Sequence, residues 1–255
     1  MDLHVVIDKY LKGFTPSALF IDIDGVITLA RGIYIIDLDL VNLLRELVAT
    51  GIPVYIVSGN AYPVVLTLQR YLGFPPTFVA ENGCIIQIDK EVVNLCNESL
   101  DPLVIKISRE FNLRPSSSNI YRLCDRAFHI PNELRNNISA IRKLEKEIMN
   151  SYPEIYALYT GYVLHIYPRN CSKSTGIKII AEKLGLDLSR AIAVGDSVTD
   201  IDMIKAVGVG VATGDADEEL KKEALIVLPF KASESTKVFA RTLLNYVKNL
   251  RDKEK

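Results

Sequence analysis

One rhythm dominates this chain and restricts its fold more than any other feature. Short apolar, β-branched runs recur, and most end in a polar cluster: ALFIDID, IPVYIVSG, TFVAENG, RAIAVGD, VGVGVAT and ALIVLP. Runs that are apolar on both faces need cover on both faces, which is the situation of strands inside a parallel sheet. Helix signals fill the intervals. Asp37 or Asp39 can cap a helix from about Leu40 to Ala49 that Gly51 closes, and Pro63 suits the first turn of one ending near Gly73. Strands alternating with helices of about 10–12 residues predict an α/β fold with a doubly wound parallel sheet.

The rhythm breaks once. CIIQIDKEVVNL reads as a hairpin around Asp89 and Lys90. A helix from Asp101 to Asn112 follows, then a strand over NIYRLCDRAFHI and a charged helix from Glu133 to about Met149. Two strands, EIYALYT and YVLHIYP, close the segment at a turn of Thr160 and Gly161. Meandering strands with two helices make an inserted α+β cap domain over residues 89–168, interrupting a core formed by 1–88 and 169–255.

Composition removes several classes of function. With 255 residues and 49% hydrophobic content, the chain can bury a large core. A formal charge of −1 without a basic stripe argues against nucleic acid as the main partner. No apolar run reaches the roughly 18 residues that span a bilayer, and the first residues lack the pattern of a signal peptide. Instead Leu3, Val6, Ile7, Tyr10 and Leu11 suit an amphipathic helix, and the tail from Arg251 to Lys255 reads as a frayed end. Cys84, Cys96, Cys124 and Cys171 show no CxxC spacing, so four reduced, buried thiols in a cytoplasmic protein is the expectation.

The chemistry concentrates at strand ends, where open parallel sheets bind ligands. Asp22 and Asp24 stand two apart at the end of the first strand, so both carboxylates project to one side before Gly25 turns the chain. Two close anions repel, and a hard divalent cation relieves that repulsion. Turn or cap aspartates are the plainer alternative. Ser58 and Gly59 end the next strand, where a hydroxyl and open N–H groups can receive an anion. Asp196 ends a later strand, with Asp200 one helical turn on; Asp202 is expected to face solvent. Lys173 opens a helix, a position where its charge opposes the dipole and so calls for an anionic partner.

In order and spacing, DIDGVIT, SGN, Lys173 and GDSVTD resemble the four motifs of the haloacid dehalogenase superfamily, with a cap between the second and third. SGN, AENG and the compact cap look like the archaeal phosphoglycolate phosphatases within it. Val26, Thr199 and the GDA of 214–216 depart from commoner residues of that pattern. The resemblance implies Asp22 as nucleophile and Asp24 as general acid/base. It implies Mg²⁺ held by Asp22, the Asp24 carbonyl and Asp196, with Asp200 as ligand or water-orienting group. Ser58, the Gly59 N–H and Lys173 would bind phosphate. The partner it implies is a small phosphorylated metabolite, 2-phosphoglycolate first, with the chain a monomer or homodimer. Arg122, Arg126 and His129, taken as one cap strand, are candidates for the rest of the substrate. A sugar-phosphate or phosphoglycosyl-acid phosphatase, and a silent phosphate-binding protein, stand as alternatives.

Overall fold

The computed structural model describes residues 3–135 and 137–253. The expected helix from Glu133 crosses Asn136, and the expected frayed tail includes residues 254 and 255; these three lie outside the described residues.

Strands β1 (Leu19–Ile21), β2 (Thr28–Ala30), β3 (Ile33–Ile36), β4 (Val54–Val57), β5 (Thr77–Ala80), β6 (Ile85–Ile88) and β7 (Glu91–Asn94) fill the first part of the chain. Then come β8 (Arg114–Pro115), β9 (Arg126–His129), β10 (Ile155–Tyr159), β11 (Leu164–Pro168), β12 (Ile192–Gly195), β13 (Val209–Ala212) and β14 (Ile226–Val227). An eight-stranded sheet runs β14-β13-β12-β1-β4-β5-β6-β7, parallel as far as β5 and antiparallel at β6 and β7. Strands β1, β4, β5 and β12 are buried throughout, as their unbroken apolar runs predict.

Helices α1 (Leu3–Leu11), α2 (Leu38–Ala49) and α3 (Tyr62–Leu72) precede the cap. Asp37 caps α2 by accepting from Asp39 N and Leu40 N, and Gly73 closes α3 at a left-handed φ of 76°. Helices α4 (Asp101–Glu110) and α5 (Ile138–Ser151) belong to the insert. They share an apolar core with the second sheet, β10-β11-β9-β8. Helices α6 (Lys173–Leu184), α7 (Ile201–Lys205), α8 (Glu218–Glu223) and α9 (Ala232–Lys253) complete the parallel fold. No helix among the described residues is long and apolar enough to cross a membrane.

The structure departs from the sequence reading at four points. First, the hairpin β6–β7 pairs with β5 and so extends the large sheet; a cap boundary at residue 89 would cut through its turn. Second, the strand expected over 119–130 is confined to β9, because residues 117–121 form a short 3₁₀ turn capped by Ser116. Third, β2 and β3 form a hairpin directly after the first motif that the sequence pattern did not announce. Fourth, Cys96 and Cys124 are joined by a disulfide, while Cys84 and Cys171 are free and buried. The partners lie 28 residues apart in sequence, and only the fold brings them together.

Candidate active site

Three neighbouring parallel strands, β12, β1 and β4, deliver the polar clusters to one edge of the sheet. A cleft of about 240 Å³ opens there between core and insert. Its lining includes Asp22, Asp24, Ser58, Gly59, Lys173 and Asp196 from the core, with Arg122 and His165 from the insert. Asp200 lies directly beneath, fully buried.

Lys173 explains its own unfavourable place at a helix start. Its Nζ lies 2.5 Å from Asp200 Oδ1 and 3.1 Å from Asp22 Oδ2. Burial disfavours its charge, and the two carboxylates more than compensate, so the ammonium is held protonated. Asp22 Oδ1 accepts from Ile23 N at 2.8 Å. Burial, opposed by Lys173 and reinforced by Asp200 and Asp24, pushes the Asp22 carboxyl up to about 7. Asp196 is pushed up to about 8 by burial and by Asp200 and Asp22, although Arg31 Nε sits 2.7 Å away. Asp200 is fully engaged: Oδ1 takes the Lys173 ammonium, and Oδ2 accepts from Asp196 N at 3.0 Å and Ser197 N at 3.1 Å.

Asp22, Asp196 and Asp200 offer carboxylate oxygens within 4.8 Å of one another, all buried. Three buried anions share two nearby cations, Lys173 and Arg31, and burial with mutual repulsion drives Asp22 and Asp196 toward neutrality. This donor set fits a hard divalent cation, which favours oxygen ligands and relieves that repulsion. The same crowding makes stability depend on pH. Without divalent ions, the native state binds more protons than the unfolded chain from the ordinary 3.8 up to about 7 and 8. Stability should therefore fall as pH rises through that window. Thermal scans in chelator should show a declining Tm, and Mg²⁺ should raise Tm more at pH 8 than at pH 5. A Mg²⁺ increment independent of pH would contradict this.

Gly25, at φ 71°, permits the turn after the two acids, and a Cβ there would overlap the Asp196 carboxylate. Asn60 Nδ2 donates to Asp24 Oδ2 at 2.7 Å and to Ser58 Oγ at 3.1 Å, tying the first and second motifs together. Asp202, expected in solvent, instead accepts from Ser174 N at 2.8 Å and so anchors the start of α6 beside Lys173.

The cap side of the cleft rests on Glu81. Both Glu81 and Asn82 sit at positive φ, 52° and 56°, which is uncommon for residues other than glycine. The turned backbone sends the fully buried Glu81 carboxylate into the insert, where it accepts from Leu123 N, Cys124 N and Asp125 N at 2.8–3.1 Å. Tyr62 N of the core supplies a fourth bond. Burial and the nearby Asp125 raise Glu81, and these N–H donors pull against them.

Asp125 is the second junction. It is wholly buried, accepts from Asn82 Nδ2 at 2.9 Å, lies 2.9 Å from His165 Nδ1, and pairs with Arg122. Burial alone would raise it, but Arg122 and His165 hold it below the usual carboxylate range. An ionised Asp125 can only accept, so His165 Nδ1 carries the proton in that bond. Arg122 Nη1 also donates to the Gly59 carbonyl at 3.1 Å. Its Nε is buried and has no partner among the described residues.

Of the three cap candidates, Arg122 alone lines the cleft. Arg126 is committed to structure: its Nε pairs with Asp101 at 2.7 Å, and Nη1 donates to the carbonyls of Arg122, Cys124 and Asp125. His129 stands at the far end of β9 opposite Arg114, away from the lining. Sequence reading missed Glu81, Asn82, Asp125, His165, Asn60 and Arg31. AENG is visible as a motif, but which residue it touches is not.

The family profile of haloacid dehalogenase-like hydrolases matches residues 19–133 and 110–236. The chain belongs to that family. It is a phosphatase, and curated relatives carry that activity in their names. The phosphoglycolate phosphatase of Sulfolobus acidocaldarius is 34% identical over 223 residues, 88% of this chain and 94% of the relative. Phosphoglycolate phosphatase 1 of Saccharolobus solfataricus is 36% identical over 228 residues, 89% and 95% of the two chains. A crystal structure from Thermoplasma acidophilum superposes with a TM-score of 0.78 at 23% identity, covering 91% of this chain and all (100%) of its own, and supports the fold.

Proposed function

We propose that this phosphatase is a Mg²⁺-dependent phosphomonoesterase acting through an aspartyl-phosphate on Asp22, with 2-phosphoglycolate as its preferred substrate. The observation that carries the reading is the division of the cleft. Ser58, Gly59 and Lys173 of the core line it together with Arg122 and His165 of the insert, and Arg122 Nη1 donates to the Gly59 carbonyl across the two. A substrate with phosphate at one end and carboxylate at the other matches that charge pattern.

Asp22 Oδ2, held by Lys173, attacks phosphorus as the ester oxygen departs. Asp24, oriented by Asn60, gives that oxygen its proton and then takes one from the water that cleaves the acyl-phosphate. Asp22, Asp196 and the Asp24 carbonyl would hold Mg²⁺, with Asp200 setting the Asp196 backbone and Lys173. When bound, the ion screens the repulsion between nucleophile and phosphate. Lys173, Ser58 and the Gly59 N–H receive the phosphoryl oxygens.

Arg122 supports recognition of the carboxylate because it is the one cap candidate whose guanidinium lines the cleft. A sugar phosphate would need acceptors and donors for hydroxyls in that place. The names of the curated relatives favour the acid.

Phosphate release should be measured with 2-phosphoglycolate, hexose phosphates and an aryl phosphate, with and without Mg²⁺. The acid should give the highest kcat/KM. Arg122→Ala should lower kcat/KM for 2-phosphoglycolate by roughly ten- to a hundredfold, the equivalent of losing one charged hydrogen bond, and leave the aryl phosphate within about threefold. Equal losses on both would assign Arg122 to holding Asp125 and Gly59. A wild-type preference for a hexose phosphate would overturn the substrate and leave the mechanism standing.

A further inference from the structure

All four cysteines of the chain meet at the junction of core and cap, although they come from four separate segments. Cys84 follows the Glu81–Gly83 turn, and Cys96 follows β7 on the way into the cap. Cys124 precedes Asp125, and Cys171 stands just before α6 on the way back. The Sγ atoms of Cys84, Cys124 and Cys171 lie within 4.8 Å of one another, and Cys96 is bonded to Cys124. Backbones converge as closely as side chains: Leu95 N donates to the Cys84 carbonyl at 2.9 Å, and a Cβ on Gly83 would collide with the Ser172 carbonyl. Cys84, Cys124 and Cys171 are buried to 1% exposure or less, whereas Cys96 is half-buried.

We propose that these four cysteines form one thiol–disulfide exchange unit, in which the Cys96–Cys124 disulfide passes its oxidising equivalent to the buried Cys84 and Cys171. The Cys84 thiolate attacks Cys124 Sγ; the Cys96–Cys124 bond breaks, and Cys96 leaves as a thiolate that takes up a proton. The Cys171 thiolate then attacks Cys84 Sγ, the Cys84–Cys124 bond breaks, and Cys124 departs as a thiolate that is protonated in turn. Two electrons have moved from one pair to the other, and no outside reagent is consumed. A low-molecular-weight disulfide then reoxidises Cys96 and Cys124 and is itself reduced to two thiols, leaving both pairs bridged.

Access explains why the route runs through Cys96. Cys84 and Cys171 have no exposed surface, so a bulk oxidant does not reach them directly. Contact with a neighbouring disulfide replaces diffusion, and exchange at the minutes-to-hours scale suffices. The finished pair of bridges has a mechanical consequence. Cys96–Cys124 ties the cap to its incoming connection, and Cys84–Cys171 ties the Glu81 turn to the segment that carries Lys173.

The test starts from fully reduced, folded protein exposed to oxidised glutathione, followed by intact mass and disulfide mapping. Wild type should lose about 4 Da, one hydrogen pair per bridge, with Cys96–Cys124 and Cys84–Cys171 peptides both present. Cys96→Ser should close any bridge at least about tenfold more slowly, with its aryl-phosphate turnover unchanged as the check on folding. Free, alkylatable Cys84 and Cys171 in exhaustively oxidised wild type would overturn the proposal, a result that does not depend on the variant. So would a Cys96→Ser rate equal to wild type, or protein isolated with one zinc ion on four free thiols.

Discussion

Asp22→Asn should remove at least about a thousandfold of the turnover on every phosphomonoester, generic aryl phosphate included. The amide is isosteric with the carboxylate, so the variant retains the acceptor that Ile23 N uses, and the fold should survive. What disappears is the anionic nucleophile on which both chemical steps depend. In the metal-free protein the substitution also removes one member of a crowded set of carboxylates, so it should raise Tm in chelator at pH 8 even as activity collapses. Loss of function with gain of stability separates a catalytic role from a structural one. A variant within about tenfold of wild type would rule out covalent catalysis through this residue.

Asp125→Ala should produce the largest loss of stability of any single substitution in the cap. It strips the counter-charge from Arg122 and the acceptor from His165 Nδ1, both side chains nearly fully buried, and orphans Asn82 Nδ2. Breaking a buried pair by removing one partner costs roughly 3–5 kcal/mol. For a chain of this size that is on the order of 10 °C in Tm. Asp125→Asn, which keeps an acceptor for one or two of these donors, should recover part of the loss. Turnover of 2-phosphoglycolate should fall in both variants, because Arg122 and His165 lose their anchor. Two variants equal to wild type in Tm would show that Asp125 is not the junction described.

The core motifs are legible in the sequence because each is written within a few residues of one strand end. Strand alternation is not what joins Asp22 and Asp24, because β1 ends at Ile21 and Asp24 stands in the turn that follows. Likewise the capping-box turn over residues 198–200, not a full helical turn, brings Asp200 back to the Asp196 N–H, yet in both cases local geometry suffices. The cap half of the cleft obeys no such rule. His165 reaches Asp125 because β11 lies beside β9 with His165 opposite Ala127, a register set by how the whole insert packs. Glu81 meets residues 123–125 only through an unusual backbone turn. Arg122 and Arg126 look equivalent on one extended strand, but β9 begins only at Arg126 and a bend at 123–124 lies between them: one enters the cleft and the other fastens α4. The cysteines illustrate the same limit, since spacing along the chain carries no information about meeting across it.

The way Glu81 holds the cap bears on how such an enzyme could change its diet. Its three bonds to the insert are all to main-chain N–H groups, so they persist whatever side chains occupy positions 123 and 124. Closure of the cleft is thereby uncoupled from what the cleft recognises. Mutation can rewrite the cap's inner surface, and with it the accepted metabolite, while the lid keeps its fit over the same phosphate site. A fold that fastens one junction of its specificity module through main-chain donors leaves the side chains there free to be re-specialised.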